Sequence, residues 1–261
     1  MSRRWMMATL SVIVLTLNED RNIEACLRSV SWADEVLVVD SGSSDATCTI
    51  AQKYATKVVS RPWDGYSSQK NYAASLSSSD WILSLDADER VSPELQKELQ
   101  KFLAADTVDN PTMAHRIPIR DWMFGKFVSY GSWPHQKHIR LYRRGKATWS
   151  GVVHEGPVVD GPVGYLSQPL LHYSHISVSH FIDKLNRYTE IEASEMFAQG
   201  KQASLPAAFF GALRAFLGQY VRLQGFRDGG HGLILAVMMA MYFFTTRVKL
   251  WSLWYMKEHA G

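Results

Sequence analysis

Residues 81–89 read Trp-Ile-Leu-Ser-Leu-Asp-Ala-Asp-Glu, an apolar run that stops abruptly at two carboxylates, Asp86 and Asp88. A continuous apolar run is typical of a strand that is buried on both faces of a parallel sheet. Ligands bind at the carboxyl ends of such strands. Because uncompensated buried charges are costly, the pair indicates a site for a divalent cation that bridges to an anion such as a diphosphate. A surface turn rich in aspartate is the alternative that this stretch leaves open.

Two segments upstream repeat the order of an apolar run followed by polar residues. Ser11–Leu17 is followed by Asn18-Glu19-Asp20, and Glu35–Val39 is followed by Asp40-Ser-Gly-Ser-Ser-Asp45. A helical pattern comes after each run, and strands that alternate with helices predict an α/β fold with a doubly wound, mostly parallel sheet. The carboxyl ends of parallel strands meet at one edge, so we expect the polar groups that follow the three runs to cluster there.

The other predicted elements continue this alternation. A helix with apolar residues at helical spacing begins at Ile23, and another, over about residues 45–54, has Ser43 or Ser44 as its expected N-cap. Ser92-Pro93 predicts a further helix, with serine as the N-cap and proline at the first helical position. The remaining predictions are a strand at 57–60, a helix at 66–76 and a strand at 80–85.

Charge divides the chain into two parts. Residues 1–200 carry 21 basic and 23 acidic side chains, whereas residues 201–261 carry 7 basic and 2 acidic ones. We therefore predict a domain over 1–200, with a first half at about 8–105 and a second half at about 106–200, followed by a helical tail over 201–261. The basic residues of the tail are sparse and set among apolar ones, which argues against a nucleic-acid partner.

The two cysteines indicate the redox environment of the protein. Cys26 and Cys48 both lie in predicted helices, which favours free thiols over a disulfide and indicates a reducing environment.

Arg3-Arg4 and the apolar residues up to Leu17 are similar to a signal peptide. No small-x-small cleavage site precedes residue 18, and cleavage would delete the first predicted strand. We interpret this segment as strand one.

Three motifs carry a resemblance to a known family. Ser11–Glu19, Val39–Asp45 and the DXD sequence Asp86-Ala-Asp88 resemble the nucleotide-site signatures of family 2 glycosyltransferases. Members of this family are inverting, metal-dependent enzymes of the Rossmann-like GT-A fold, and they use nucleotide-diphospho-sugars. The resemblance implies a hexosyltransferase with this fold and with Mg²⁺ or Mn²⁺ as its cofactor.

Later motifs narrow the resemblance. Arg140–Arg144, Trp149–Glu155 and Gly225–Gly230 are similar to segments of the bacterial lipopolysaccharide inner-core β-1,4-glucosyltransferases. That group transfers glucose from UDP-glucose to a core heptose. The resemblance implies a catalytic domain over 1–200 with a nucleotide and metal half at about 8–105 and an acceptor half at about 106–200, and it implies a lipid-linked saccharide as the acceptor. It leaves the exact acceptor, the choice of hexose and the oligomeric state open.

A donor site at the strand ends follows from the resemblance. Its expected residues are Thr16, Leu17, Asn18, Glu19, Asp40, Lys70, Asp86 and Ala87. Many relatives have an aromatic residue before the asparagine to stack on the base, whereas Leu17 offers apolar contact. Asp40 suits hydrogen bonding to a pyrimidine or ribose edge, with a turn-capping role as its alternative, and Glu19 equally suits a first-turn acid favoured by the helix dipole. Lys70 suits contact with the diphosphate, and a solvated lysine on a helix face is the alternative.

Metal binding and proton transfer need further acidic and imidazole groups. Asp88 is expected to reach the metal, and Asp86 the metal or the ribose, so that the metal neutralises the departing diphosphate. His154 is a candidate third ligand, or it orients Glu155; a purely structural histidine is the alternative. An inverting transfer needs a general base, for which Glu155 is the first candidate and Asp121 the second.

A basic run marks a candidate anion site. Arg140, Arg143 and Arg144 lie on a predicted amphipathic strand and suit a diphosphate or an anionic acceptor, because guanidinium groups match phosphate and carboxylate geometry. A solvated edge strand whose charges oppose aggregation is the alternative.

The tail predicts attachment to an anionic membrane surface. Residues 205–227 form an amphipathic pattern with Arg214, Gly218 and Arg222 on one face, and residues 232–246 carry no charge. These 15 residues span about 22 Å as a helix, short of the roughly 30 Å hydrocarbon core. Tryptophan, tyrosine and lysine follow, a mixture typical of the headgroup region. We predict peripheral, monotopic attachment at the cytoplasmic face of the bacterial inner membrane; a buried helix or a dimer interface is the alternative.

Three other function classes compete with this prediction. A polyprenyl-phosphate glycosyltransferase would share the donor site but not the acceptor. A nucleotidyltransferase would need a Gly-rich loop with arginine and lysine after strand one, which Asn18-Glu19-Asp20 does not provide. A non-catalytic membrane adaptor with the GT-A fold would bind nucleotide weakly or not at all.

Overall fold

The computed structural model describes residues 7–107, 110–151, 156–175 and 177–259. Two compact units divide the chain. The first comprises the residues up to Ile119 together with His135–His172, and the second comprises Arg120–Pro134 and Tyr173–Gly261.

Strands and helices alternate along the first hundred residues, and helices dominate the last eighty. The strands are β1 Leu10–Thr16, β2 Glu35–Asp40, β3 Lys57–Ser60, β4 Trp81–Asp86, β5 Glu89–Val91, β6 Ala114–Met123, β7 Lys126–Phe127, β8 Lys137–Arg143, β9 Ala147–Ser150, β10 Gly156–Val159, β11 Val163–Tyr165 and β12 Leu170–His175. The α-helices are α1 Ile23–Ser29, α2 Thr47–Ala51, α3 Tyr66–Ser75, α4 Pro93–Ala105, α5 Val178–Ala198, α6 Leu205–Leu217 and α7 Gly230–His259.

The sheet of the first unit is parallel where the sequence predicts it. Its strands lie in the order β3-β2-β1-β4-β8-β6, and β1 is parallel to both β2 and β4. Every residue of β1 is buried, as expected for an apolar run between two parallel neighbours. Thr16 pairs with Asp40 and Leu15 with Asp86, so the predicted strand ends meet at one edge. The doubly wound α/β fold is confirmed.

β8 corrects one alternative from the sequence. It lies inside the sheet, antiparallel to both β4 and β6, and it is not an edge strand. Arg140, in its middle, is buried. The arginine run therefore does not form a solvated edge that opposes aggregation.

Helix starts agree with the sequence in one case and differ in another. The Ser92 hydroxyl accepts a hydrogen bond from the Leu95 N–H at 3.1 Å, which confirms the predicted cap of α4. The prediction of Ser43 or Ser44 as the cap of α2 is wrong, because this helix begins only at Thr47 and both serines contact Asn18 instead. Cys26 and Cys48 are free thiols, as predicted.

In the second unit, α7 packs against α5 along its length. Met238 contacts Phe181 and Leu185 near one end of this contact, and Leu250 contacts Ala193 and Met196 near the other. Polar groups join the same two helices. The Tyr242 hydroxyl donates to Glu192 at 2.7 Å, and the Lys249 ammonium contacts Glu190 at 2.9 Å.

α6 also packs on α7. Gly211 lies so close to the Phe243 ring that a Cβ atom at position 211 would clash with it. The predicted amphipathic helix over 205–227 is interrupted, because α6 ends at Leu217 and a π-turn, Gly218–Arg222, follows. The predicted charge-free run lies within α7, a helix of 30 residues that is about 45 Å long. In the described part of the chain it is the one helix long and apolar enough to cross a membrane by length and composition.

Candidate active site

Hydrogen bonds join the loops that follow β1 and β2. Asn18 has a left-handed backbone, with φ of 54°, and its side-chain oxygen accepts from the Ser44 N–H at 2.9 Å. The Asn18 N–H donates to the Ser43 hydroxyl at 2.8 Å, and the Glu19 N–H donates to Thr47 at 2.8 Å. Asparagine tolerates this backbone conformation better than most residues. The two strand ends therefore form one connected edge.

Asp40 organises the turn after β2. Its carboxylate is buried and accepts from the N–H groups of Gly42 and Ser43, both at 2.9 Å. Gly42 has φ of 100°, a conformation that favours glycine. This is the turn-capping role that the sequence offers as the alternative, and binding of a base edge by Asp40 stays a prediction.

Other predicted donor residues line the same edge. Thr16 is buried, and its hydroxyl has no hydrogen-bond partner among the described residues. Leu17, the next residue, is exposed. Ala87 is buried and donates its N–H to the Leu15 carbonyl at 3.2 Å. The structure thus brings the residues at 16–19, 40 and 86–87 to one edge of the sheet.

Ion pairs surround Asp86. Its carboxylate contacts the Lys70 ammonium at 3.1 Å and the Arg140 guanidinium at 2.9 Å. Arg140 also contacts Glu89 at 2.5 Å, and Glu89 in turn accepts from the Asp86 N–H at 2.9 Å. Lys70 lies over the Trp149 ring, 4.3 Å from its centroid, and is buried. The alternative of a solvated lysine on a helix face is therefore wrong for Lys70.

The charges of this cluster shift its acidities. Burial acts to raise the pKa of Asp86, but the Lys70 and Arg140 cations outweigh it and hold that pKa far below its ordinary value. Burial raises the pKa of Glu89 even though Arg140 opposes the shift. Burial acts to lower the pKa of Arg140, but the two carboxylates outweigh it and raise that pKa. Asp86 is consequently an anion, and two cations are fixed beside it at the strand end.

His172 is a site residue that the sequence analysis missed. Its Nε2 atom lies 3.4 Å from the Asp88 carboxylate, because β12 pairs with β5 and places His172 opposite Glu89. Asp88 and His172 supply one oxygen and one nitrogen donor. Within the described ranges, no cluster of three or more histidine, cysteine, aspartate or glutamate residues could hold a metal ion. The signal available in the sequence was a histidine after two leucines, in a strand that also contains a serine and a second histidine.

His154 and Glu155 lie outside the described residues. The strand that leads to them is anchored beside Lys70, because Asn71, the next residue on α3, exchanges two hydrogen bonds of 2.9 Å with the backbone of Trp149. β9 and β10, which flank this segment, pair with each other.

Three other predicted site residues are not part of this cluster. Arg143 pairs with Trp81 at the opposite end of β4 and contacts Asp106 at 3.0 Å. Arg144 follows it and is exposed. Asp121 belongs to the second unit, where it is buried on β6 and its carbonyl accepts from the Val128 N–H. The placement of Arg143 and Arg144 gives no support to a role in binding the diphosphate.

Comparisons with known proteins identify the family of this chain. The family model of glycosyl transferase family 2 matches residues 11–156. The lipopolysaccharide core biosynthesis glycosyltransferase LpsC of Rhizobium meliloti (strain 1021) is 32% identical over 93% of this chain and 92% of its own length. The glycosyltransferase RT0209 of Rickettsia typhi is 31% identical over 94% of this chain and 87% of its own.

One solved structure covers most of the chain. The mannosyltransferase PcManGT of Pyrobaculum calidifontis, in complex with GDP-Man and Mn²⁺, matches 94% of this chain and 87% of its own with a TM-score of 0.55 and 15% identity. At this identity the match shows the fold alone, and it confirms the GT-A architecture. Together with the family model and the full-length relatives, it shows that this chain is an enzyme that belongs to glycosyl transferase family 2.

Proposed function

We propose that this glycosyltransferase moves glucose from UDP-glucose onto a heptose of a lipopolysaccharide core acceptor, with inversion at the anomeric carbon. A nucleotide-sugar site is supported by the sheet edge where β1, β2 and β4 end, because Lys70 and Arg140 are held there by ion pairs with Asp86. Similarity to LpsC over 93% of the chain supports the class of acceptor.

Asp88 and His172 would hold the divalent cation that this proposal requires. Their carboxylate oxygen and imidazole nitrogen lie 3.4 Å apart and would be two of the ligands of Mg²⁺ or Mn²⁺. When bound, such a cation neutralises the leaving diphosphate. Asp86 is already paired with two cations, so we assign it to positioning Lys70 and Arg140 and we assign Asp88 to the metal.

The protein side chains bind the diphosphate and transfer the proton. Lys70 and Arg140 supply positive charge at the edge where the diphosphate is expected, and their ion pairs with Asp86 hold them in place. Glu155 takes the proton of the acceptor hydroxyl as that hydroxyl attacks from the face opposite the diphosphate. Asp121 is the second candidate for this base.

We also propose peripheral attachment to the cytoplasmic face of the bacterial inner membrane, with the tail over 201–261 as the attaching segment. α7 is long enough to span, but α5 packs along it and exposes Asp183, Arg187 and Glu190. A spanning α7 would carry these charged side chains into hydrocarbon, which is costly. Attachment from one side avoids that cost.

The deciding experiment combines a donor screen with product analysis. We expect hydrolysis of UDP-glucose above that of other UDP-sugars and GDP-sugars, and a glucosylated heptose as the product with a core acceptor. Glucose found on a polyprenyl phosphate instead would change the assigned acceptor. Turnover of another UDP-sugar or of a GDP-sugar in preference to UDP-glucose would change the assigned donor.

A further inference from the structure

A broad apolar face covers α6 and the π-turn after it. Its large hydrophobic side chains are exposed, with Phe210 at 67%. The members of this face are Phe209, Phe210, Leu213, Leu217 and Val221. Soluble proteins rarely leave so continuous an apolar patch in water, so the face indicates a surface that another phase or molecule covers.

Arginines border this apolar face. Arg214 and Arg222 are exposed, and neither has an ionic or hydrogen-bonding partner among the residues that the structure describes. Arg214 also lines a groove of about 610 Å³ between α6 and α7, together with Phe210, Phe243 and Arg247. We call Arg214, Arg222, Arg247 and the five apolar residues above the arginine face.

The tail contains almost no compensating negative charge. Between residues 201 and 261 the only acids are Asp228 and Glu258. Asp228 is buried, where it contacts Lys126 at 3.3 Å and accepts backbone N–H groups. Glu258 lies in the last turn of α7. The arginine face therefore lacks a partner of opposite sign within its own segment.

A second copy of this chain fits the face poorly. A two-fold interface places the same patch on both subunits. The arginine face would then meet arginines across the interface with no acid between them, and burying uncompensated cations is unfavourable. An anionic phospholipid surface matches both properties, because its phosphates pair with guanidinium groups and its acyl region accepts apolar side chains.

We propose that the arginine face binds the phosphates of anionic phospholipids through Arg214, Arg222 and Arg247, while Phe210 and Leu217 enter the acyl boundary. The proposal rests on the membrane attachment proposed above and assigns it to α6 and the π-turn. α6 packs on α7, and α7 exposes further apolar side chains of its own, among them Ile234, Val237 and Met241.

The test is flotation of the full chain with phosphatidylcholine vesicles, with and without phosphatidylglycerol. We expect R214Q/R222Q to lower partitioning onto the anionic vesicles by about 30-fold, because each basic residue contributes ~1 kcal/mol and 1.4 kcal/mol is a factor of ten. The control is R187Q, which removes one exposed arginine from α5 and, compared per arginine removed, is expected to change partitioning far less.

A second variant keeps the test informative. F210S/L217S alters exposed side chains, so the fold is retained, and it should lose the part of vesicle binding that persists in high salt. Equal losses per arginine removed for R214Q/R222Q and R187Q would overturn the proposal. So would a wild-type dimer that ignores vesicles and becomes monomeric in F210S/L217S. Hydrolysis of UDP-glucose by the wild type is read separately, so a failed transferase assignment is distinguished from a failed lipid site.

Discussion

Arg140 pairs with two carboxylates in the first unit. Its guanidinium is the direct cationic partner of Glu89, whose side chain is 1% exposed, and it shares Asp86 with Lys70. Arg140→Met keeps a long apolar side chain but removes the charge. The variant therefore leaves the Glu89 carboxylate buried without its ion-pair partner.

The magnitude follows from this burial. Removing one partner of a buried ion pair destabilises a protein by about 3–5 kcal/mol, because the other charge stays desolvated. For a unit of this size we expect the melting temperature to fall by about 2–4 °C per kcal/mol, roughly 6–20 °C in all. Lys70→Met should have a smaller effect, on the order of 1 kcal/mol, because Asp86 is 35% exposed and keeps Arg140.

The effect of Arg140→Met should depend on pH. Burial already raises the pKa of Glu89, and the variant loses the cation that opposes this shift. A carboxyl group whose pKa is higher in the folded protein destabilises the fold at pH values above its unfolded pKa. The deficit of the variant relative to the wild type should therefore shrink as the pH falls toward 4.5, the ordinary pKa of glutamate.

A double-mutant cycle isolates the interaction. Thermal unfolding, followed by tryptophan fluorescence, is measured for the wild type, Arg140→Met, Glu89→Gln and the combined variant. We expect the combined variant to be more stable than Arg140→Met, because a neutral amide costs less to bury than an unpaired carboxylate. If Lys70→Met is the more damaging change, or if the combined variant is no more stable than Arg140→Met, the charge argument is wrong.

Three further predictions concern the site and the second unit. Asp88→Ala should abolish transfer and leave the far-UV circular dichroism unchanged, and excess chelator should do the same to the wild type; full activity in chelator would contradict a metal-dependent reaction. Glu155→Gln should slow transfer by roughly two to four orders of magnitude, with the affinity for the nucleotide-sugar donor little changed. Near-normal turnover in this variant, together with a loss of turnover in Asp121→Asn, would identify Asp121 as the general base. Asp228→Ala removes a buried acceptor of two backbone N–H groups and should lower the unfolding free energy, measured by urea denaturation, by about 1–3 kcal/mol. The control Asp160→Ala changes an exposed aspartate and should alter the unfolding free energy by no more than about 0.5 kcal/mol. Similar values for both variants would refute the anchoring role of Asp228.

Local signals in the sequence were sufficient for the strand ends and for one helix start. Ser92-Pro93 predicts the start of α4 because the capping bond joins residues three apart. The same logic failed for Ser43 and Ser44, since Asn18, which lies on another strand end, binds both serines. A capping bond is local, whereas competition for the same hydroxyl or N–H comes from any residue that the fold brings near.

By itself, the sequence determined the parallel sheet and the meeting of Asn18, Asp40 and Asp86 at one edge, because apolar periodicity is a local property. Only the tertiary structure decided which charges pair. Arg140 reaches Asp86 across 54 residues, and His172 reaches Asp88 because β12 lies beside β5. The partner of a buried charge depends on strand order and register, which are set by packing of the whole sheet, and a single stretch of sequence does not contain that information.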